Sequence, residues 1–283
     1  MLELIFLLFI GYAIKNHIDA KTIFNILFYL VIPCAIILQF SDIKITPDLA
    51  LFPLLYIISG LLIIHVIEFL GKRSGFNRVQ IGTGIITVPI INAGALYSIS
   101  YYFFGAEGLV KSTLYTIGYI FLIPYSIFRA SNYSVHYSNR EDLIIGQTIK
   151  SPIIISIIIA ILMNYLDIKI EGVFRDIMDR IVDMLVPLSM MSIGATINLS
   201  TTVNRFILSI LAIRAILPVL IIILLYNLHL IEYNDLKLLI IATLSPLGFF
   251  GPMISNRIGL DVELSSNLVF VSIILFLIIF IWI

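Results

Sequence analysis

The chain has 283 residues, of which 60% are hydrophobic and 12% are charged. A soluble domain of this size needs a polar surface and carries about 25% charged residues, so this composition predicts a chain solvated mostly by lipid. The 17 Lys and Arg residues balance the 17 Asp and Glu residues, which removes the basic excess that nucleic-acid binding requires. The single cysteine, Cys34, excludes an internal disulfide framework and a cysteine-based metal site.

Apolar runs separated by charge clusters predict an all-α integral membrane protein with ten spans, because roughly 20 apolar residues cross the hydrocarbon core. The first run is short and carries Glu3. The longest connection, near 129–149, leaves no room for a soluble domain. The predicted spans are 2–14, 22–41, 49–71, 80–104, 108–128, 150–166, 181–198, 206–227, 237–256 and 264–283.

The loops that follow odd-numbered spans carry more Lys and Arg than the loops that follow even-numbered spans. The richer set is expected on the cytoplasmic side of a plasma membrane. This assignment places both the N-terminus and the C-terminus outside the cell.

The chain also reads as two copies of one pattern at an offset of 154 residues (187 − 33), which carries Pro33 onto Pro187 and Gly94 onto Gly248. The predicted halves are 1–140 and 149–283, joined by the linker near 129–149. Each half holds five spans, and since five is odd, the second half enters the membrane from the opposite side. Such inverted-topology repeats are typical of secondary transporters, which bind substrate near the membrane midplane.

Proline and glycine cluster in the fourth and ninth spans. The fourth contains Pro89 and Asn92-Ala-Gly94, and the ninth contains Ser245-Pro246 followed by Gly248. Because proline removes a backbone donor and glycine loosens a helix, the pair predicts discontinuous helices 4 and 9 that cross. The positive ends of half-helices suit a carboxylate. Proline and glycine are also common in ordinary membrane helices, where they permit kinks and close packing.

Candidate substrate-binding residues follow from this crossing. The Asn92 amide can bind a carboxylate or form an interhelical hydrogen bond. Ser245 can contribute from the other span, or its hydroxyl can bond back to its own helix. The full set at the crossing is Asn92, Gly94, Ser245, Pro246 and Gly248.

Arg214 is the one strong charge far inside a predicted span, nine residues beyond Arg205. At 1.5 Å per residue it lies about 13 Å along the helix, near mid-bilayer. A charge at that depth is costly and marks a functional hypothesis. Arg214 is interpreted either as a ligand for an anionic substrate or as a residue that holds one conformation through carbonyl contacts.

Glu68 and Lys72 are spaced i, i+4 near the end of the third span, and His65 lies one turn earlier. They form a candidate proton-linked switch, because histidine titrates near neutrality. The alternative is a solvated salt bridge at a helix end. Residues 81–104 and 238–256 contain no acid or base, so proton or sodium coupling through an acidic pair at the crossing is not expected. No paired-histidine, P-loop or serine-elbow motif is present, so no metal, cofactor or enzymatic activity is predicted.

Several motifs along the chain resemble the auxin efflux carrier family, which includes plant carriers and malonate- or malate-type permeases. The resemblance covers nearly the whole chain. The residues that carry it are Gly11-Tyr12 with Lys15, Leu30 to Pro33, Asn92-Ala-Gly94 through Phe104-Gly105, Lys150-Ser151-Pro152, Pro187 with Gly194, and Ser245-Pro246 through Gly259-Leu260-Asp261.

The resemblance implies ten helices with both termini outside, a scaffold bundle, a transport bundle and elevator-like alternating access. By position it implies that Asn92 and Pro246 mark the crossing where a substrate carboxylate binds. We therefore expect a secondary transporter for a small organic anion, a mono- or dicarboxylate, with proton, sodium or no coupling ion. A homodimer is also expected. The alternatives are a sodium-linked organic-anion symporter of the bile-acid-carrier type and a transporter-derived channel or sensor.

Overall fold

The computed structural model describes residues 2–17, 20–43, 46–134, 152–196 and 203–282. Within these ranges the regular structure is helical apart from one isolated bridge. This confirms the all-α class, while the ten-span inverted repeat stays a prediction. Most of the predicted linker near 129–149, and the Lys150-Ser151 pair of the family resemblance, lie outside the described residues.

The helices of the first half are separated by short connections. A π-helical stretch, Leu27–Val31, joins the second helix to the third, and a 3-10 turn, Pro47–Ala50, precedes the fourth. The helices are α1 Leu2–Ile14, α2 Ala20–Ile26, α3 Ile32–Asp42, α4 Leu51–Arg73, α5 Arg78–Thr87, α6 Ala93–Ile117 and α7 Tyr119–Ser131.

The second half of the described chain holds seven more helices. They are α8 Pro152–Tyr165, α9 Gly172–Val182, α10 Leu185–Thr196, α11 Arg205–Asn227, α12 Tyr233–Leu244, α13 Phe250–Arg257 and α14 Val262–Trp282.

Four helical segments of the described chain are long and apolar enough to cross a membrane: Thr22–Ser41, Pro47–Arg73, Arg205–Asn227 and Val262–Ile279. Two shorter apolar helices are Glu3–Ile14 and Pro152–Tyr165. On α4 the large apolar side chains of Leu54, Ile58 and Leu62 are exposed. A bilayer solvates such side chains at no cost, so these segments are those of a membrane-embedded protein.

One predicted span boundary is visible as a kink, and one helix lies outside the predicted spans. The segment Ala93–Ile117 (α6) consists of two helical pieces that meet in a kink at the predicted junction 104–108, where Gly105 has a non-helical φ of 62° and ψ of −149°. Glycine reaches this left-handed φ without a Cβ clash. Helix α9 occupies part of the predicted loop before 181. Its charged residues recur at each turn and interrupt any apolar run, which is why the sequence did not predict it.

The chain divides into two compact units. The first consists of Met1–Leu51, Ala93–Leu114 and Leu143–Ile197. Inside it α1 packs on α10 so closely that a Cβ on Gly194 would overlap the Leu8 carbonyl. Helix α8 packs on α3, and the Asn164 amide donates hydrogen bonds of 2.6 Å to the carbonyls of Phe40 and Ile43.

The second unit consists of Phe52–Asn92, Tyr115–Asp142 and Asn198–Ile283. In it α5 packs on α7, α13 and α14, and α11 packs on α12. A reciprocal capping box of Asn77 and Gln80 starts α5. The hydroxyls of Thr87 and Ser265 lie 2.6 Å apart and link the end of α5 to α14. This unit contains the two helix interruptions described next.

Candidate functional site

Two interrupted helices pair inside the second unit. Helix α5 ends at Thr87 and α12 ends at Leu244, and the residues that follow form an antiparallel bridge between Ile91 and Leu247. The Asn92 N–H donates to the Pro246 carbonyl at 2.8 Å, and the Gly248 N–H donates to the Ile90 carbonyl at 2.9 Å. The two interruptions that proline and glycine predicted therefore lie side by side.

The residue types at this crossing explain its geometry. Pro89 and Pro246 lack a backbone N–H, so neither can continue the helical hydrogen-bond ladder. A Cβ on Gly248 would lie 2.7 Å from Ile90 Cγ2 and 2.8 Å from the Ile91 carbonyl oxygen. Only glycine permits this approach of the two backbone segments. The two hydrogen bonds between the segments satisfy backbone N–H and carbonyl groups that have no helical partner.

Two side chains donate to the carbonyls that follow the interrupted helices. Arg214 Nη2, on α11, donates to the carbonyl of Ser245, the C-cap residue of α12, at 2.6 Å. The Tyr56 hydroxyl, on α4, donates to the Pro89 carbonyl at 2.5 Å. Arg214 is 7% exposed and Tyr56 is 3% exposed. One carbonyl at each interruption is therefore satisfied by a buried side chain.

A cavity adjoins these contacts within the second unit. It is small, with a volume of about 20 Å³, which is room for about one water molecule. The Tyr56 and Tyr115 rings pack edge to face, with centroids 5.1 Å apart. The bond to Ser245 uses one of the five N–H donors of the guanidinium. The polar residues that line the cavity are Tyr56, Ser59, Tyr115, Arg214 and Thr243.

The predicted substrate-binding residues occupy different positions. Asn92, which is 9% exposed, pairs with Pro246 at the crossing. The Ser245 hydroxyl bonds back to the Ile241 carbonyl at 2.9 Å, and its own carbonyl accepts from Arg214. Gly94 lies in the first turn of α6, in the segment assigned to the first unit, and its carbonyl accepts from Ser98 Oγ at 2.7 Å.

The predicted coupling residues belong to two hydrogen-bond groups of the second unit. Glu68 accepts from Lys72 Nζ at 2.9 Å, from the Tyr133 hydroxyl at 2.6 Å and from Arg129. His65 Nε2 lies 3.0 Å from the hydroxyl of Tyr125. Burial, followed by the hydrogen bond to Glu68, raises the pKa of Tyr133 above its usual value.

Several residues of these groups were not predicted from the sequence. Tyr56 and Tyr115 approach the crossing from other helices, and Arg129 and Tyr133 reach Glu68 from the far end of α7. The local sequence around each of these residues contains no motif that indicates a site. Their roles depend on tertiary packing, which no local spacing reveals.

The described chain has apolar helices long enough to cross a membrane and two interrupted helices that pair at their breaks. Secondary transporters are a class of helical membrane proteins with these features. A family model described as membrane transport protein matches residues 138–283, just over half of the chain. The chain belongs to this membrane transport protein family, which confirms the resemblance to the auxin efflux carriers. Because the chain belongs to this family and has apolar helices long enough to cross a membrane, it is a membrane-embedded transporter. No curated protein matches the chain.

Proposed function

We propose that the protein is a secondary transporter that moves a small organic anion, a mono- or dicarboxylate, across the plasma membrane. The observation that carries this proposal is the buried Arg214 beside the paired interruptions. Among the described residues Arg214 forms no ion pair with a carboxylate. A buried cation with no acidic partner favours an anionic ligand.

The helix ends next to the crossing add to this preference. New helices begin at Ala93 and at Phe250, directly after the two interruptions. The N-terminus of a helix carries a partial positive charge and free N–H groups. The second interrupted segment and its flanks, 238–256, contain no acidic or basic side chain. Arg214 and these two helix N-termini therefore supply the positive charge that a carboxylate site requires, beside the negative end of α12 that Arg214 contacts.

The proposed architecture is an inverted repeat of 1–140 and 149–283 with both termini outside. Helices α4 and α11 both contain 23 residues, and 154 residues separate both their starts (205 − 51) and their ends (227 − 73). Gly105 and Gly259, also 154 apart, both have positive φ, 62° and 69°. These equalities support two copies of one pattern. The division into two compact units supports elevator-type alternating access, with the crossing carried by one unit.

The first test of this proposal is ligand binding by the purified protein. Malonate, malate and phenylacetate are added separately, and the melting temperature is followed, since a ligand bound to the native state raises it by mass action. We expect at least one carboxylate to raise the melting temperature in a saturable way. Asn92→Ala removes an amide donor that we assign to the carboxylate, so it should weaken binding about 10- to 100-fold.

Asn256→Ala is the matched control, because Asn256 lies on α13 of the same unit with an exposed side chain. It should bind the carboxylate as wild type does. Equal affinities of Asn92→Ala and Asn256→Ala would remove Asn92 from the site. A melting temperature unaffected by all three carboxylates would contradict the substrate class.

A further inference from the structure

We propose that Arg214 is a resident cation at the crossing, in the position that a coupling sodium ion occupies in transporters with discontinuous helices, so that this protein needs no sodium. The inference rests on the proposed function only in assuming that the protein is a transporter. The occupancy of the crossing by the guanidinium is a separate claim and can be tested alone.

The electrostatics of α12 carry the first step. Helix α12 ends inside the second unit, at Leu244, and the C-terminal end of a helix carries about half a negative charge on carbonyls that lack helical partners. In secondary transporters, half-helix C-termini and unwound carbonyls coordinate the transported cation. Here the Ser245 carbonyl accepts a 2.6 Å hydrogen bond from Arg214. The cation that compensates this helix end is covalently part of the chain.

The surroundings of Arg214 carry the second step. Arg214 lies on α11 and is 7% exposed, and its guanidinium forms no ion pair within the described residues. The α12 terminus is therefore the fixed negative partner of the guanidinium. A sodium ion on the same carbonyl would lie only a few ångströms from a permanent positive charge, and the two would repel each other.

Several other oxygen ligands that a cation could use at the crossing are already engaged by the protein. The Pro89 carbonyl accepts from the Tyr56 hydroxyl, and the Pro246 and Ile90 carbonyls accept from the backbone N–H groups of Asn92 and Gly248. In the part of the chain that the structure describes, no group of three His, Cys, Asp or Glu residues is arranged to hold a metal ion. The Ser245, Pro246, Pro89 and Ile90 carbonyls therefore already have donors from the protein, and no acidic side chain from 238–256 adds to them.

The test compares melting temperatures of the purified protein without any organic anion, in equal concentrations of sodium, potassium or choline chloride. Wild type should melt at the same temperature in the three salts. Arg214→Ala should melt several degrees lower, and millimolar methylguanidinium chloride should raise its melting temperature by replacing the lost guanidinium. Arg205→Ala is the matched control, because Arg205 is exposed at the start of the same helix.

Sodium-specific stabilisation of wild type would overturn the proposal, as would methylguanidinium acting equally on Arg214→Ala and Arg205→Ala. If Arg214→Ala does not fold, Arg214→Lys and Arg214→Met decide in choline chloride. The lysine variant keeps a cation and should melt higher, whereas a methionine variant that melts as high contradicts the proposal. Because no carboxylate is present, these outcomes do not depend on whether the protein transports one.

Discussion

The close approach at the crossing predicts that Gly248→Ala strongly destabilises the second unit. The new Cβ would lie 2.8 Å from the Ile91 carbonyl oxygen, so the two segments must separate. Separation strains or breaks two buried hydrogen bonds, Asn92 N–H to Pro246 O and Gly248 N–H to Ile90 O. A buried donor left without a partner costs about 1–3 kcal/mol, so the two together cost about 2–6 kcal/mol.

The assay is the thermal unfolding of purified protein in detergent. For a chain of about this size, 1 kcal/mol moves the melting temperature by about 2–4 °C, so Gly248→Ala should lower it by at least about 4 °C. Gly84→Ala is the matched control, because Gly84 is also buried in the second unit. Its nearest neighbours are side-chain atoms, Phe206 Cζ at 3.2 Å and Ile67 Cγ2 at 3.3 Å, which can move.

Alanine at position 84 also favours the helical state by about 1 kcal/mol relative to glycine. Gly84→Ala should therefore melt within a few degrees of wild type. Equal melting temperatures for the two variants would refute the reasoning, because the crossing would then tolerate a side chain as easily as a helix interior does.

Two further predictions concern contacts outside the crossing. Asn77→Ala removes a 2.7 Å bond to the Gln80 N–H in the capping box of α5, and should cost about 1 kcal/mol in thermal or denaturant unfolding; an unchanged stability would show that packing alone starts this helix. Glu68→Gln removes the charge that Arg129, Lys72 and Tyr133 share, and partial exposure limits its expected cost to about 1–2 kcal/mol. Glu107→Gln, whose side chain is 66% exposed in its pair with Lys111, should change stability by less than about 0.5 kcal/mol, and equal effects of the two variants would contradict a special role for Glu68.

The sequence predicted many helix positions closely. The run 49–71 corresponds to Leu51–Arg73, and the run 206–227 corresponds to Arg205–Asn227. Lipid makes this possible, because a spanning backbone must satisfy its hydrogen bonds internally and must be apolar over a fixed length. The interruptions were predictable for a related reason, since Pro89 and Pro246 cannot donate to a helical ladder.

Contacts between distant segments were not predictable in this way. Arg214 and Ser245 are 31 residues apart, Tyr56 and Pro89 are 33 apart, and Tyr133 reaches Glu68 across 65 residues. Apolar periodicity records which residues face lipid or protein, but not which donor meets which carbonyl. The sequence permitted two roles for Arg214. Its hydrogen bond to Ser245 depends on the packing of α11 against α12, which the sequence did not predict.

Helix α9 is an example of a helix that a search for long apolar runs does not find. Its side chains alternate between apolar residues, such as the exposed Phe174 and Ile177, and charged residues such as Arg175 and Asp179. Averaged along the chain, such a helix has the composition of a loop. Only the helical period of its apolar residues distinguishes it, and a search for long apolar runs discards that signal.

The central claim, that the protein is a carrier for organic carboxylates, is tested most directly by counterflow in proteoliposomes. Vesicles are loaded with the unlabelled carboxylate that gave the largest thermal shift and are diluted into a trace of the same compound carrying a label. A carrier should accumulate the label transiently above its external concentration, because inward and outward movements share one site. Label that only equilibrates, at a rate independent of the unlabelled load, would contradict the account and indicate a channel.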